Sequence, residues 1–253
     1  MGRLAQPLGL ANMHLSHAIF QWPFGLGGEA FPPEIDYVSR GQDIWRHASS
    51  RLKGNPSELD RVDCIGTLKR AINNRLKAIQ ATYHFDQLPT KRPKKQVLEK
   101  LQDYGIVRPA IIKELLDVRN GIEHNDAAPP DTPKCEFYVD IVWYFLKSTD
   151  SLVHMAVDSL HYQDDQSDSE LALDIKPHED WTVTVSGSVL DSYLKEHPVP
   201  HDLALLEFKS PARRARRGYT KFSAAVYKDA ATLQMLAQEY FSISGYSHED
   251  SEA

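Results

Sequence analysis

The sequence predicts a mainly α protein: an antiparallel bundle of helices followed by a small C-terminal α+β domain. Between residues 34 and 163, apolar residues recur three and four positions apart over long segments, as in helices that bury one face. An acidic, serine-rich stretch at 163–170 ends this region and is interpreted as a linker. Beyond it the segment TVTVS alternates strictly, which is typical of a half-buried strand. The period of the apolar pattern therefore changes once along the chain.

These changes divide the chain into four predicted parts. Residues 1–33 mix glycine, proline and aromatic residues and are interpreted as an irregular N-terminal arm. The helical bundle is predicted over 34–163 and the α+β domain over 171–243. The polar residues 244–253 are expected to form a disordered tail.

Helix boundaries inside the bundle follow from capping and breaking residues. Ser57 with Asp60 predicts the start of a long helix over roughly 58–85, because a serine and an acid three residues later cap each other's backbone. A short helix is predicted over 95–104, and another begins near Pro109. Gly121 is predicted to end that helix, since glycine adopts the left-handed backbone at little cost. A last long helix is predicted to end near Tyr162.

In the C-terminal part, TVTVS and DLALLEFK are predicted strands, and PARRARRG is a predicted basic loop between the second strand and YTKFSAAVY. The pattern of YTKFSAAVY fits a strand or a helix equally well. Residues 229–241 are predicted to be helical.

Composition narrows the function classes. The net charge is −6, so nucleic-acid binding would have to come from a local basic patch and not from the whole molecule. The two cysteines are far apart in sequence, which argues against a structural zinc site and suits a reducing cytosol. No apolar stretch is long enough to cross a bilayer, so a cytoplasmic protein without membrane contact is expected. No cofactor is expected.

The candidate catalytic residues are Arg119, Asn120 and His124. On an unbroken helix, residues five apart point about 140° away from each other. The predicted break at Gly121 would let His124 turn back toward Arg119 and place a permanent cation beside an imidazole.

That pair of groups suits cleavage of RNA without a metal ion. The 2′-hydroxyl attacks its own phosphate, a base takes its proton, and an acid protonates the departing 5′-oxygen. An arginine stabilises the charge that builds on the phosphate oxygens. One histidine performs one proton transfer at a time, and a symmetric dimer that brings two motifs face to face supplies both.

The motif and its context resemble the HEPN family (higher eukaryotes and prokaryotes nucleotide-binding). The four residues between Arg119 and His124, the asparagine after the arginine, and the following loop and long helix match that family's pattern over about residues 35–162. The resemblance implies a dimeric helical bundle and a metal-independent endoribonuclease that leaves a 2′,3′-cyclic phosphate. It implies catalytic roles for Arg119 and His124 and a positioning role for Asn120, with Asp117 or Glu123 orienting Arg119.

The same resemblance implies a cellular setting: a toxin or anti-phage defence effector, acting as a homodimer with a composite active site and accompanied by an antitoxin or regulatory partner. One position departs from the family. Some members carry a tyrosine two residues after the histidine as a modification target, and this chain has Asp126 there.

Two alternatives stay open at this point. The first is a catalytically silent module that binds RNA or protein. The second is a Mg²⁺-dependent nuclease that uses Glu207 and Lys209, which share one face of a predicted strand, together with one of the acids Asp180, Asp191 and Asp202.

Two basic segments are candidates for RNA contact. The denser one contains Arg213, Arg214, Arg216 and Arg217, and aromatic residues that can stack on unpaired bases follow it. The other contains Lys94 and Lys95 in a loop between two predicted helices.

Overall fold

The computed structural model describes residues 13–27, 35–89, 96–154, 156–177, 179–216 and 218–244. The chain forms two compact units. One comprises Met1–Ala30, Gln87–Pro89 and Val157–Ala237 and contains the sheet; the other comprises Phe31–Asp86, Thr90–Ala156 and Gln238–Ala253 and is helical.

The helical unit is built around its longest helix. Its helices are α1 (Ile35–Ser50), α2 (Glu58–Tyr83), α3 (Val97–Asp103), α4 (Ala110–Asn125), α5 (Thr132–Ser148) and α6 (Asp150–His154). Helix α2 packs against α1, α4 and α5. Ile65, Leu68, Ile72 and Ile79 recur along α2 at helical spacing and are fully buried, which gives the unit its core.

The predicted start of α2 is confirmed. The Ser57 hydroxyl accepts a hydrogen bond from the backbone N–H of Asp60 (3.2 Å), and the Asp60 carboxylate accepts one from the backbone N–H of Ser57 (3.0 Å). This reciprocal pair satisfies two backbone donors that the first turn leaves without partners. The helix ends at His84, whose backbone is left-handed (φ 44°).

The sheet unit contains eight strands in the described part of the chain. They are β1 (His14–Leu15), β2 (Phe24–Gly27), β3 (Ser159–Gln163), β4 (Glu170–Lys176), β5 (Thr182–Leu190), β6 (Leu194–Lys195), β7 (Leu203–Arg216) and β8 (Tyr219–Val226). Their order is β2-β3-β4-β5-β8-β7-β1-β6, and every neighbouring pair is antiparallel. Val183, Val185 and Val189 of β5 are buried, which confirms the half-buried strand predicted from TVTVS.

The prediction of a mainly α, HEPN-like bundle with a small C-terminal α+β domain is wrong: the described residues form an α+β fold with an eight-stranded antiparallel sheet and seven α-helices. Three segments account for the difference. The described part of the predicted arm supplies β1 and β2, residues 159–163 form β3 where a helix end was predicted, and residues 211–216 of the predicted basic loop belong to β7.

The physical reason is that strands pair with distant segments. Phe24 of β2 lies opposite Tyr162 of β3, and His14 of β1 lies opposite Ala204 of β7. No local sequence pattern indicates such distant strand partners. A short strand nevertheless needs these partners to satisfy its backbone hydrogen bonds. The acidic stretch after Gln163 is the turn of the β3–β4 hairpin and not a linker between domains.

Helix α7 (Ala230–Ser244) confirms the helix predicted near the C-terminus, and the division between the two units falls inside it. Residues 245–253 of the predicted tail lie outside the described residues. Among the helices of the described ranges, none is both long enough and apolar enough to cross a membrane.

Candidate active site at the end of helix α4

Helix α4 carries all three candidate catalytic residues and runs past Gly121 without a break. It ends at Asp126, whose backbone is left-handed (φ 50°, ψ 35°) and whose N–H donates to the carbonyl of Gly121. The prediction that Gly121 ends the helix is therefore wrong. Aspartate is among the few residues besides glycine that adopt this backbone readily, and Asp126 takes the role five positions later.

Because the helix is continuous, Arg119 and His124 do not converge within one chain. Five residues of regular helix separate their side-chain directions by about 140°. Asn120 lies between them around the helix, and it shares a face with His124, four residues on. Asn120 and His124 are both exposed.

Arg119 sits at the edge of the buried face of α4. Ile112 and Leu115 are buried on that face, and Arg119 follows Leu115 by one turn. Its side chain is 19% exposed, and its Nε is buried without a hydrogen-bond partner among the described residues, so the stem packs on the protein and the terminal nitrogens lie at the surface. The guanidinium donates to the Asn120 carboxamide oxygen (3.1 Å) and forms an ion pair with Glu123 one turn ahead.

The two proposed orienting acids behave differently. Glu123 pairs with Arg119 and is 41% exposed. Asp117 is exposed and makes no ion pair with any residue of the described ranges. Charge pairing therefore supports an orienting role for Glu123.

A contact that the sequence analysis missed fixes α4 against α5. The Glu114 carboxylate forms an ion pair with Lys134 (2.8 Å) and accepts a hydrogen bond from the Tyr138 hydroxyl (2.9 Å). Hydrogen bonds from Lys134 and then Tyr138 lower the pKa of Glu114. The Lys134 ammonium also lies over the rings of Phe137 (4.7 Å) and Tyr138 (5.0 Å). These contacts hold in place the helix that presents Arg119 and His124.

Helix α5 presents aromatic side chains to solvent. Phe137 is 41% exposed, Trp143 is 37% exposed and Tyr144 is 64% exposed. They lie on the side of α5 opposite to the buried Tyr138, Val142 and Phe145. Apolar residues at helical spacing usually form the buried face of a helix, so the exposure of these aromatic residues is a departure from that pattern.

Comparisons with protein-family models, with curated proteins and with solved structures found no match.

The residues of the alternative Mg²⁺ site are not brought together. Glu207 is exposed on β7, and the side chain of Lys209 lies outside the described residues. Asp202 is buried and accepts hydrogen bonds from the backbone N–H groups of His17 (3.0 Å) and Val199 (3.1 Å).

The other two candidate acids are also engaged. Asp191 accepts a hydrogen bond from the Thr220 hydroxyl (2.7 Å), and Asp180 accepts one from Gln87. Across the described ranges, no group of three or more His, Cys, Asp or Glu residues is arranged to hold a metal ion.

The candidate RNA-binding residues are placed only in part. Lys94, Lys95 and Arg217 lie outside the described residues. The backbone of Arg213, Arg214 and Arg216 belongs to β7, where these residues stand opposite Lys221, Thr220 and Tyr219 of β8. Gly218 makes the turn between the two strands with a left-handed backbone (φ 79°), which glycine adopts without strain. The arginine run is thus one strand of a hairpin and not the loop that was predicted.

Proposed function

We propose that this protein is a metal-independent endoribonuclease that uses Arg119, Asn120 and His124. The observation that carries the proposal is the arrangement at the end of α4: a guanidinium bonded to the Asn120 carboxamide, with an exposed imidazole one turn further on the Asn120 face. These are an anion-binding group and a proton-transfer group on one accessible, rigid element.

The proposed reaction is an attack of the RNA 2′-hydroxyl on the adjacent phosphorus. A neutral imidazole takes the 2′-hydroxyl proton while the 2′-oxygen bonds to phosphorus. The bond from phosphorus to the 5′-oxygen breaks, and an imidazolium protonates the leaving oxygen. The products are a 2′,3′-cyclic phosphate and a free 5′-hydroxyl.

Arg119 retains N–H groups that are available to the phosphate. Each terminal nitrogen of a guanidinium carries two N–H groups. One terminal nitrogen donates to Asn120 and the other pairs with Glu123, which leaves one N–H on each for non-bridging oxygens. A guanidinium binds a phosphate most favourably through two N–H groups at once. Glu123 and Asn120 hold the guanidinium in orientation before substrate arrives.

The continuous helix makes two copies of the chain necessary for this chemistry. A single α4 directs Arg119 and His124 about 140° apart and contains one candidate histidine, whereas the reaction needs both a base and an acid. Two helices related by a two-fold axis supply two histidines and two arginines to one phosphate. The exposed aromatic side chains of α5 support a homodimer, because large aromatic residues are enriched in protein interfaces.

The decisive experiment incubates the purified chain with a labelled RNA in EDTA. Cleavage is expected to continue, with products that carry a 2′,3′-cyclic phosphate. Arg119→Ala and His124→Ala are each expected to lower the rate about 100-fold or more, since each removes a charge-stabilising or proton-transfer group. Arg46→Ala and His47→Ala are matched controls, because these exposed residues lie on α1.

Three results would contradict the proposal. RNA that stays intact in every condition would indicate a silent binding module. Cleavage that EDTA abolishes and that depends on Glu207 would indicate the metal-dependent nuclease. Equal loss of activity in the control variants would show that the effect is not specific to the end of α4.

The proposed setting, a cytoplasmic toxin or anti-phage effector with an antitoxin or regulatory partner, depends only on the resemblance of the Arg119–His124 motif. Growth arrest on expression of the chain, relieved by His124→Ala, would support it.

A further inference from the structure

One face of the sheet contains a groove of about 1090 Å³. It extends over β2, β3, β4, β5 and β8, and all of its lining residues belong to the sheet unit. The polar and charged residues that line it include His161, Gln163, Glu170, Ser186, Lys221 and Ser223.

Strand register explains why these side chains share a face. His161, Ala172, Ser186 and Ser223 lie opposite one another in a row across β3, β4, β5 and β8. Gln163, Glu170, Ser188 and Lys221 form a second row two residues away on each strand. Side chains two apart on a strand point to the same side, so both rows face the groove. The row between them includes Tyr162, Leu171 and Phe222, which are buried on the other face.

The floor of the groove is low because its residues are small. Gly25, Ala172, Ser186 and Ser223 leave the backbone accessible along the His161 row. Gly187 belongs to the intervening row, and a Cβ at this position would collide with the backbone carbonyl of Glu170. This glycine thus permits a close approach of β4 and β5 beneath the groove.

The groove carries a carboxylate and an ammonium group at separate positions. Glu170 on β4 and Lys221 on β8 are both exposed, and neither forms an ion pair with a residue of the described ranges. They lie in one row with β5 between them, so their backbones are about 9.6 Å apart, two strand spacings. Hydroxyl groups and the His161 ring occupy the space nearby, and the ring is held by the Ser159 hydroxyl (3.1 Å).

We propose that this groove binds a nucleotide unit of single-stranded RNA, with a preference for guanine. Lys221 pairs with a phosphate, and Glu170 accepts hydrogen bonds from the N–H groups on the guanine base edge. The His161 ring offers a flat surface for stacking, and the serine hydroxyls suit ribose. Adenine and the pyrimidines lack the pair of adjacent N–H donors that a carboxylate accepts together.

The position of the basic hairpin favours RNA over a peptide as the ligand. Arg213 and Arg216 stand opposite Lys221 and Tyr219, which are two residues apart on β8, whereas Arg214 stands opposite the buried Thr220. Two arginine positions therefore lie in register with the groove side of β8 near Lys221, where a phosphate backbone requires positive charge. This inference rests on the proposed function, because it identifies a segment of the sheet unit that holds the RNA substrate of the proposed ribonuclease.

The test measures RNA binding in a chain that does not cleave. Fluorescein-labelled eight-nucleotide RNAs, one containing guanine and one with adenine in its place, are titrated with the His124→Ala protein, and anisotropy is followed. Lys221→Gln is expected to weaken binding of both RNAs about tenfold, the effect of one lost charged hydrogen bond. Glu170→Gln is expected to abolish the preference for the guanine RNA. Lys176→Gln is the matched control, because it removes a lysine charge from β4 outside the groove.

Each outcome decides the proposal. Unchanged affinity in Lys221→Gln, or equal affinity for the two RNAs in the parent protein, would overturn it. Binding of guanosine monophosphate without binding of either RNA would assign the groove to a free nucleotide and overturn the RNA assignment. A groove that binds an acidic peptide and excludes RNA would do the same.

The Lys221→Gln and Glu170→Gln changes are also made in the protein that retains His124. Cleavage assays on these variants separate the two proposals. Cleavage in EDTA with no dependence of binding on Lys221 would reject the groove and leave the ribonuclease. Binding that depends on Lys221 and Glu170 in a protein that cleaves no RNA would reject the ribonuclease and leave the groove as an RNA-binding site.

Discussion

Asp126, and not the predicted Gly121, ends helix α4. Gly121 lies inside α4 with ordinary helical backbone, and Asp126 takes the left-handed conformation that ends the helix. The energetic difference between the two arrangements is small, since a glycine in a helix costs about 1 kcal/mol and a left-handed aspartate costs a similar amount. Whether the helix ends at Gly121 or at Asp126 determines the direction of the His124 side chain.

Replacing Gly121 by alanine tests the position of this residue directly. A Cβ at Gly121 would meet the Cβ of Ala127 at 3.7 Å, an ordinary contact, so Gly121→Ala is expected to raise the free energy of unfolding by about 0.5–1 kcal/mol. Gly105 provides the control. Its backbone is left-handed (φ 77°), and Gly105→Ala is expected to lower the free energy of unfolding by about 1 kcal/mol. Urea unfolding measures both variants. A lower free energy of unfolding for Gly121→Ala would contradict the continuous helix and would indicate that α4 ends at Gly121.

At the level of elements, a buried arginine joins three helices of the helical unit. Arg75 of α2 is fully buried, and its guanidinium donates to the carbonyl of Thr149 (2.9 Å) and pairs with Asp150 of α6 (2.7 Å). Gln42 of α1 donates to the same carboxylate (3.3 Å). Burial lowers the pKa of Arg75, and the Asp150 carboxylate opposes that shift in part. The network satisfies a charge that the core would otherwise exclude.

Removing the partner of this arginine is expected to be costly. Asp150→Ala leaves the Arg75 charge buried without its ion pair, and we expect the free energy of unfolding to fall by about 3–5 kcal/mol. Asp140→Ala is the control: Asp140 is exposed on α5 and its replacement should change stability by about 0.5 kcal/mol or less. Chemical denaturation measures both variants. A loss below about 1 kcal/mol for Asp150→Ala would mean that the pair contributes little to holding α1, α2 and α6 together.

On the scale of the whole molecule, the proposed chemistry predicts how two copies depend on each other. Wild-type chain is mixed with a tenfold excess of His124→Ala chain and left to exchange subunits. If each active site needs a histidine from both copies, most wild-type chains will sit in inactive mixed dimers, and the cleavage rate is expected to fall about tenfold. Excess His47→Ala chain should cause no such loss. An unchanged rate with the His124→Ala excess would show that one copy cleaves alone.

Some elements could be predicted from the sequence and others could not, depending on whether local residues or distant strand partners stabilise them. The start of α2 was predictable, because Ser57 and Asp60 cap each other within one turn. Strand β5 was also predictable, because its alternation reports burial on one side. Strands β1, β2 and β3 were not, since they are short and pair with residues far away in the chain. The residue types at the end of α4 could be read from the sequence, whereas the directions of their side chains could not be predicted from it.

The sequence by itself determined the start of α2 and the chemistry that Arg119, Asn120 and His124 offer, because capping hydrogen bonds and side-chain functional groups are local properties. Only the tertiary structure decided that the fold is α+β, that α4 continues to Asn125, and that Glu170 and Lys221 share a groove. Those outcomes depend on strand pairing and packing between distant segments, whose free energies no short stretch of sequence contains.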